Sequence, residues 1–308
     1  VNAEFLIPLL AAAVQSGTPI LFATLGEMFT EKAGVLNLGV EGMMMVGALA
    51  AFTTSLATGS PWTGLVAGGL AAAALGCLHG LACLTFQGNQ VVSGLALTIL
   101  GTGLANYLGT PYIGQTAPGF MALPVPGLSQ IPVLGRVLFS QDALVYLSFA
   151  LPGLFWLFWQ RTRWGMACTA AGEHPAAAEA AGLNPVALRW AAIAAGGFLV
   201  GLGGAYLSLA YTHLWTNGMS SGRGWIAVAL VIFAFWRPGR AVFGAYLFGG
   251  VMAFQLRLQA SGTNLPSSLL LMLPYALTVG VLLFSAMRGQ GGSSDAPEAL
   301  GINVEPRE

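Results

Sequence analysis

Of the 308 residues, 56% are apolar and only 7% charged, against about 25% charged in soluble domains, and the formal net charge is zero. A mean hydropathy of +0.75 and repeated apolar runs of about 20 residues indicate a polytopic α-helical membrane protein embedded in a lipid bilayer. No basic cluster exists, which argues against nucleic acid as a partner. Cys77, Cys83 and Cys168 form no CxxC pair and read as packing residues.

The first apolar run, 5–25, lacks a basic leader, since the first basic residue is Lys32, and is expected to stay as a membrane helix. Further apolar spans are expected at 34–57, 62–86, 90–109, 142–160, 186–211, 224–236, 241–258 and 266–287. The span at 224–236 is short for a full crossing, so it is either longer than its apolar run or re-entrant. The expected fold is therefore an all-α polytopic membrane bundle of eight or nine transmembrane helices. It forms one domain over 1–288, followed by a Gly/Ser-rich tail, 289–308, expected to be poorly ordered and cytoplasmic. Glycine, at 43 residues, recurs in small-xxx-small pairs (Gly64/Gly68, Gly76/Gly80, Gly197/Gly201) that let helix backbones approach closely in lipid.

Orientation follows from basic residues in the connections. With 161–185 inside the cell, Lys32, Arg161, Arg163, Arg189, Arg237, Arg240, Arg288 and Arg307 lie inside, and Arg136, Arg223 and Arg257 at or near the outside. The connection 110–141, with Pro111, Pro118, Pro124, Pro126 and Pro132, then lies over the external face. Within the internal connection, Pro175 suits the first turn of a short helix and Gly182 its end, giving a polar-flanked helix near 173–183 with little to bury alone.

The polar stretch 27–45 interrupts this apolar chain. It carries Glu27, Glu31, Glu41 and the only lysine, and is broken by Gly34, Gly39 and Gly42, so a broken or re-entrant helix is expected near 30–45. Glu27, Glu31 and Lys32 are placed at the cytoplasmic rim. Asn37, a good N-cap, and Glu41 share a helical face. Two readings stand side by side: this face lines a solute path, or both residues satisfy backbone donors at a helix break. Asn89 and Ser93 open the fourth span on one face, and Thr98, Thr102 and Asn106 repeat at four-residue spacing, which reads as a polar lumen stripe or as interhelical bonding. For Arg223, flanked by glycines, three readings stay open: it anchors a partner, meets a solute oxygen or snorkels to the interface.

The chain has no phosphate-binding GxxxxGK[ST] loop, no nucleophile elbow and no close pair among His79, His174 and His213 that suits a metal. No enzymatic activity, metal or cofactor is expected. Passage of a neutral polar solute remains, and on composition alone a proton-coupled transporter using Glu27, Glu31 and Glu41, or a passive channel, stays open.

Glu31-Lys-Ala-Gly-Val-Leu-Asn-Leu-Gly-Val-Glu-Gly-Met-Met resembles the opening motif of permease subunits of bacterial nucleoside ABC importers, within the ribose-type branch. Asn89-Gln-Val-Val-Ser-Gly-Leu-Ala-Leu, Ala171-Gly-Glu-His-Pro-Ala-Ala-Ala-Glu-Ala-Ala-Gly-Leu-Asn, Ser221-Gly-Arg-Gly-Trp-Ile-Ala-Val-Ala, Leu265-Pro-Ser-Ser-Leu-Leu-Leu-Met-Leu-Pro-Tyr and Ala299-Leu-Gly-Ile-Asn resemble its later blocks, in order. Gln90, Thr98 and Leu271 depart from the pattern as an acid, an Asn and a polar residue are commoner there, which leaves the solute open. The resemblance implies the shorter of two permeases, paired with a second homologous permease subunit in the bacterial inner membrane. It also implies an extracytoplasmic substrate-binding protein and a cytoplasmic ABC ATPase gripping a coupling helix with Glu173, His174, Pro175, Glu179 and Gly182. The implied solute route takes in Asn37, Glu41, Asn89, Ser93, Thr98 and Arg223.

Overall fold

The computed structural model describes residues 3–260, 266, 269–270, 272–287 and 296–303, and among these the chain is helical without a named strand. Seven helices are long and apolar enough to cross a membrane. They are α1 (Ala3–Lys32), α2 (Val40–Thr58), α3 (Pro61–Gly80), α4 (Gln90–Gly109), α6 (Ala143–Arg161), α9 (Pro185–Tyr206) and α11 (Pro238–Ala260). Between them stand the short helices α5 (Leu134–Leu138), α7 (Arg163–Glu173) and α8 (Pro175–Ala180), and two shorter apolar helices, α10 (Arg223–Ala234) and α12 (Leu273–Met287). A wider turn lengthens α3 to Thr85 and α9 to Tyr211.

Local chemistry sets the ends. Asn89 accepts from Val92 N at the start of α4, Asp142 from Leu144 N and Val145 N at α6, Thr162 from Gly165 N at α7 and Asn184 from Ala187 N at α9. Gly59, at φ 73°, ends α2, and Ser60-Pro61 starts α3 at once.

The helix at the centre is α9, 78% of whose most apolar stretch is buried, against 28% for α4 and α6. It packs on α1, α2 and α3. A stripe of small residues makes this possible: a Cβ on Gly68 would lie 2.6 Å from the Gly47 carbonyl oxygen, and one on Gly47 2.9 Å from Gly201 Cα. At Gly204 a Cβ would overlap the Met44 carbonyl oxygen. Apolar burial gives helices no preference for one another over lipid, so this close backbone contact supplies the packing.

One expectation is corrected. Helix α1 continues to Lys32, so Glu27 and Glu31 are not at a wet rim but are fully buried. Glu27 Oε1 accepts from Asn37 N at 2.9 Å and Glu31 Oε2 from Trp236 Nε1 at 2.6 Å, while Glu27 Oε2 is buried without a partner. Arg223, whose role stayed open, is 5% exposed and so is enclosed by the protein. Of the tail, residues 296–303 are among those described. Residues 296–303 lie against the end of the bundle that carries α7 and α8, held by Ala299 N to Gly172 O at 2.9 Å and Arg189 Nη1 to Ile302 O at 2.6 Å. Arg288, Arg307, Leu265 and Leu271 lie outside the described residues.

Candidate functional site

The chain breaks between α1 and α2. Gly34, at φ 89°, turns it, and residues 33–39 are non-helical and buried or half-buried. Non-helical backbone at this depth needs partners for its polar groups, and the surrounding helices supply them. Besides the Glu27 bond to Asn37 N, Gln90 Oε1 accepts from Leu36 N at 2.8 Å, and Thr98 Oγ1 donates to Leu38 O at 2.8 Å. The His79 ring bridges Leu36 O (Nε2, 3.1 Å) and Ser93 Oγ (Nδ1, 3.0 Å). A carbonyl only accepts, so Nε2 donates there. Asn37 does not cap α2, because that position falls to Gly39. Its Oδ1 instead accepts from Gly39 N at 2.8 Å, and its Nδ2 reaches Met43 Sδ at 3.1 Å.

Directly after the break, the first turn of α2 meets the start of α10. Glu41 Oε1 accepts from Ser220 Oγ at 2.6 Å and Gly222 N at 2.8 Å, and Oε2 from Gly224 N at 2.7 Å. A carboxyl group on one helix thus caps the N-terminus of another, where the free N–H groups and the positive end of the helix dipole favour it. The approach is close, since a Cβ on Gly224 would lie 2.5 Å from Glu41 Cα. Gly222, at φ 80°, makes the turn that aims both amides. Arg223 follows the crossing. Its Nη1 donates to Met219 O and Ser220 O, its guanidinium lies 5.5 Å from the Tyr211 ring centre, and its buried Nε has no partner. It borders a cavity of about 180 Å³ with Ser221, Gln255 and Tyr275.

The polar stripe of α4 faces inward. Ser93 and Thr98 serve the break, Asn106 Oδ1 accepts from Gly218 N at 3.0 Å, and Thr102 Oγ1 is buried without a partner. Val92, Ile99 and Tyr107 on the other side of α4 are exposed. Asn89 stands apart, capping α4. Satisfaction of backbone donors is therefore seen directly for Asn37 and Glu41.

The second group of residues lies at the α7–α8 end. Pro175 opens α8, and Gly182, at φ 83°, turns the chain after it. Glu173 Oε2 accepts from Glu298 N, and His174 Nε2 lies 2.9 Å from Glu298 Oε2, both side chains largely exposed. Glu179 is half-buried within α8. Beside them a cleft of about 790 Å³ is lined by Lys32, Trp156, Trp159, Glu173, Trp236 and Arg237.

The sequence reading passed over His79, Ser220, Arg189, Glu298 and Asn303. His79, a lone polar ring in an apolar helix, and Ser220, beside the Gly-Arg-Gly run, carried some signal; the partners of the others are too far along the chain to be inferred. Among the described residues no three His, Cys, Asp or Glu side chains gather to hold a metal ion.

Residues 9–282 match the family described as branched-chain amino acid transport system / permease component. A putative glucose ABC transporter permease protein of Haloferax volcanii is 40% identical over 319 residues, covering 96% of this chain and 97% of the relative. The guanosine ABC transporter permease protein NupQ of Bacillus subtilis is 31% identical, with 97% of each chain covered. The nucleoside ABC transporter permease protein NupC of Lactococcus lactis subsp. cremoris is 32% identical, with 93% of each covered. No solved structure matches.

Proposed function

Since the chain belongs to the branched-chain amino acid transport system permease component family, we propose that it is the membrane subunit of an ABC importer that carries nucleosides into the cell. The observation that carries this reading is the near full-length match to permeases of ABC transporters, two of which are named for guanosine or nucleosides. The relative named for glucose points to a second solute, a simple sugar. Both solutes are neutral and rich in hydroxyl groups, which suits a bundle whose buried cations are few.

In this reading a separate cytoplasmic ATPase supplies the energy and grips α8 through Glu173, His174, Pro175, Glu179 and Gly182. The grouping of Lys32, Arg161, Arg163, Arg237 and Arg240 near that end favours its placement inside the cell. A second, homologous permease completes the pathway, and an extracytoplasmic binding protein delivers solute over residues 110–141. Asn37, Glu41, Asn89, Ser93, Thr98 and Arg223 belong to the walls of the route. In the state described here each is engaged with the protein itself, so the route opens where α2 and α10 part at Glu41.

Uptake by vesicles holding the whole complex tests the proposal. Labelled nucleoside enters when ATP is inside, vanadate stops it, and an ionophore that collapses the proton gradient leaves it unchanged. Loss of uptake on adding the ionophore at constant internal ATP would overturn the proposal in favour of proton coupling. A panel of nucleosides and glucose presented to the cognate binding protein separates the two solute classes.

A further inference from the structure

We propose that the C-terminal segment 296–303 is a positioning element that links the N-terminal end of α8 to the buried break at 33–39, with Asn303 setting the geometry of the break during transport. This rests on the reading that an ATPase grips α8.

Gly172 already packs on Ala33 and Gly34, and the segment adds a hydrogen-bonded connection that runs past this contact to Gln90 and Leu36. At its start, Glu298 pairs with His174 at 2.9 Å and its N–H reaches Glu173 Oε2 at 3.2 Å. In the middle, Ala299 N donates to Gly172 O at 2.9 Å and Gly301 N to Gly34 O at 3.3 Å. At its far end, Asn303 Oδ1 accepts from Gln90 Nε2 at 2.9 Å while its Nδ2 donates to Gly88 O at 3.0 Å. Gln90 then accepts from Leu36 N inside the break. A displacement of His174 therefore has a hydrogen-bonded route to Leu36, the residue that His79 also holds.

Arg189 makes the segment more than a loose cover. Its side chain is fully buried, and Nη1 and Nη2 point at the carbonyl oxygens of Ile302 and Ala299. Burying a guanidinium is expensive unless its donors are satisfied, and removal of the segment would leave only the 3.5 Å contact of Nη2 with Ala171 O. The two ends differ in kind. The His174–Glu298 pair is exposed and adds little to stability, which leaves it free to rearrange under a partner. The Asn303–Gln90 end is half-buried and fixed to Gly88 and Gln90 at the start of α4.

The test uses the complete transporter (both permeases, ATPase and binding protein) in proteoliposomes and reads solute transported per ATP hydrolysed. Asn303 lies away from α8, so Asn303→Ala is expected to leave ATPase binding intact. It should lower the transport ratio by about fivefold or more, the range of an energetic coupling between sites. Asn303→Asp, which keeps the acceptor for Gln90, should recover part of the loss. An unchanged ratio in Asn303→Ala, with the unmodified complex coupled, overturns this proposal alone. Absence of ATP-driven uptake by the unmodified complex overturns the transport reading and this proposal with it. If Asn303→Ala does not assemble, amide exchange in the unmodified complex decides. A change of about tenfold at Ala299 and Gly301 between nucleotide-free and vanadate-trapped states supports a moving link, and equal rates show a static brace and overturn it.

Discussion

Replacing Glu41 by Gln keeps the shape of the side chain and removes one acceptor. Three donors converge on Glu41: the Ser220 hydroxyl and the amides of Gly222 and Gly224. The amide oxygen of Gln is expected to take the place of Oε1, which serves two of them. Its NH₂ group then faces Gly224 N–H, donor against donor. Leaving that amide unpaired costs about 1–3 kcal/mol, and losing an acceptor at the positive end of α10 about 0.3–1 kcal/mol more. The sum, about 1.5–4 kcal/mol, corresponds at about 2 °C per kcal/mol for a large domain to a fall in unfolding midpoint of about 3–8 °C in detergent. Glu41→Ala should fall further because it strands all three donors. Transport measured per folded complex should drop as well, since the crossing of α2 and α10 is where the proposed route opens. Midpoints of Glu41→Gln and Glu41→Ala both within about 1 °C of the parent would refute the capping argument, as no helix start loses three partners at no cost.

Four further outcomes are expected. Gly204→Ala pushes a methyl into the Met44 carbonyl and should destabilise the purified protein by about 1–3 kcal/mol, read by thermal unfolding. A double-mutant cycle of His79→Ala and Ser93→Ala should show a coupling of about 0.5–1.5 kcal/mol, and independent effects would remove the His79 bridge from the account. Burial pushes the Cys168 thiol, on α7 outside the membrane spans, up to about 11. It should resist maleimide in the native protein at pH 8 and react once unfolded in SDS. Glu179→Arg should leave the elution profile of the purified permease unchanged while lowering solute-stimulated ATPase activity of the complex by about tenfold, an effect of about 1.4 kcal/mol that normal stimulation would exclude.

Local rules read the helices well. The apolar run at 90–109 gave α4 its observed ends, though Asn89, read as a route residue, is its cap, and Pro175 with Gly182 bounded α8. Where the sequence reading failed, the deciding partner lay far along the chain. Glu31 looks exposed until Trp236, 205 positions later, is seen to donate to it. Glu41 and Arg223 were both singled out, but nothing between them shows that one caps the helix that begins with the other. Asn303 ends a block that resembles the family's tail, but neither that block nor the Gly/Ser composition up to 294 names its partners, Gln90 and Gly88. The alternation of polar and apolar residues on α4 was legible, whereas what its polar side would touch was not.

The capping of α10 by Glu41 also bears on how the protein is made. The amides that Glu41 accepts from lie 181 and 183 residues further on. At a synthesis rate of about 5–20 residues per second they come into existence about 10–35 s after Glu41 does. During that interval α2 carries a carboxyl group without its final partners, a poor passenger for a bilayer. The insertion machinery must therefore hold α2 in a wet or protein-lined site, or release it only when residues 220–224 arrive, so the last third of the chain completes the membrane integration of the first.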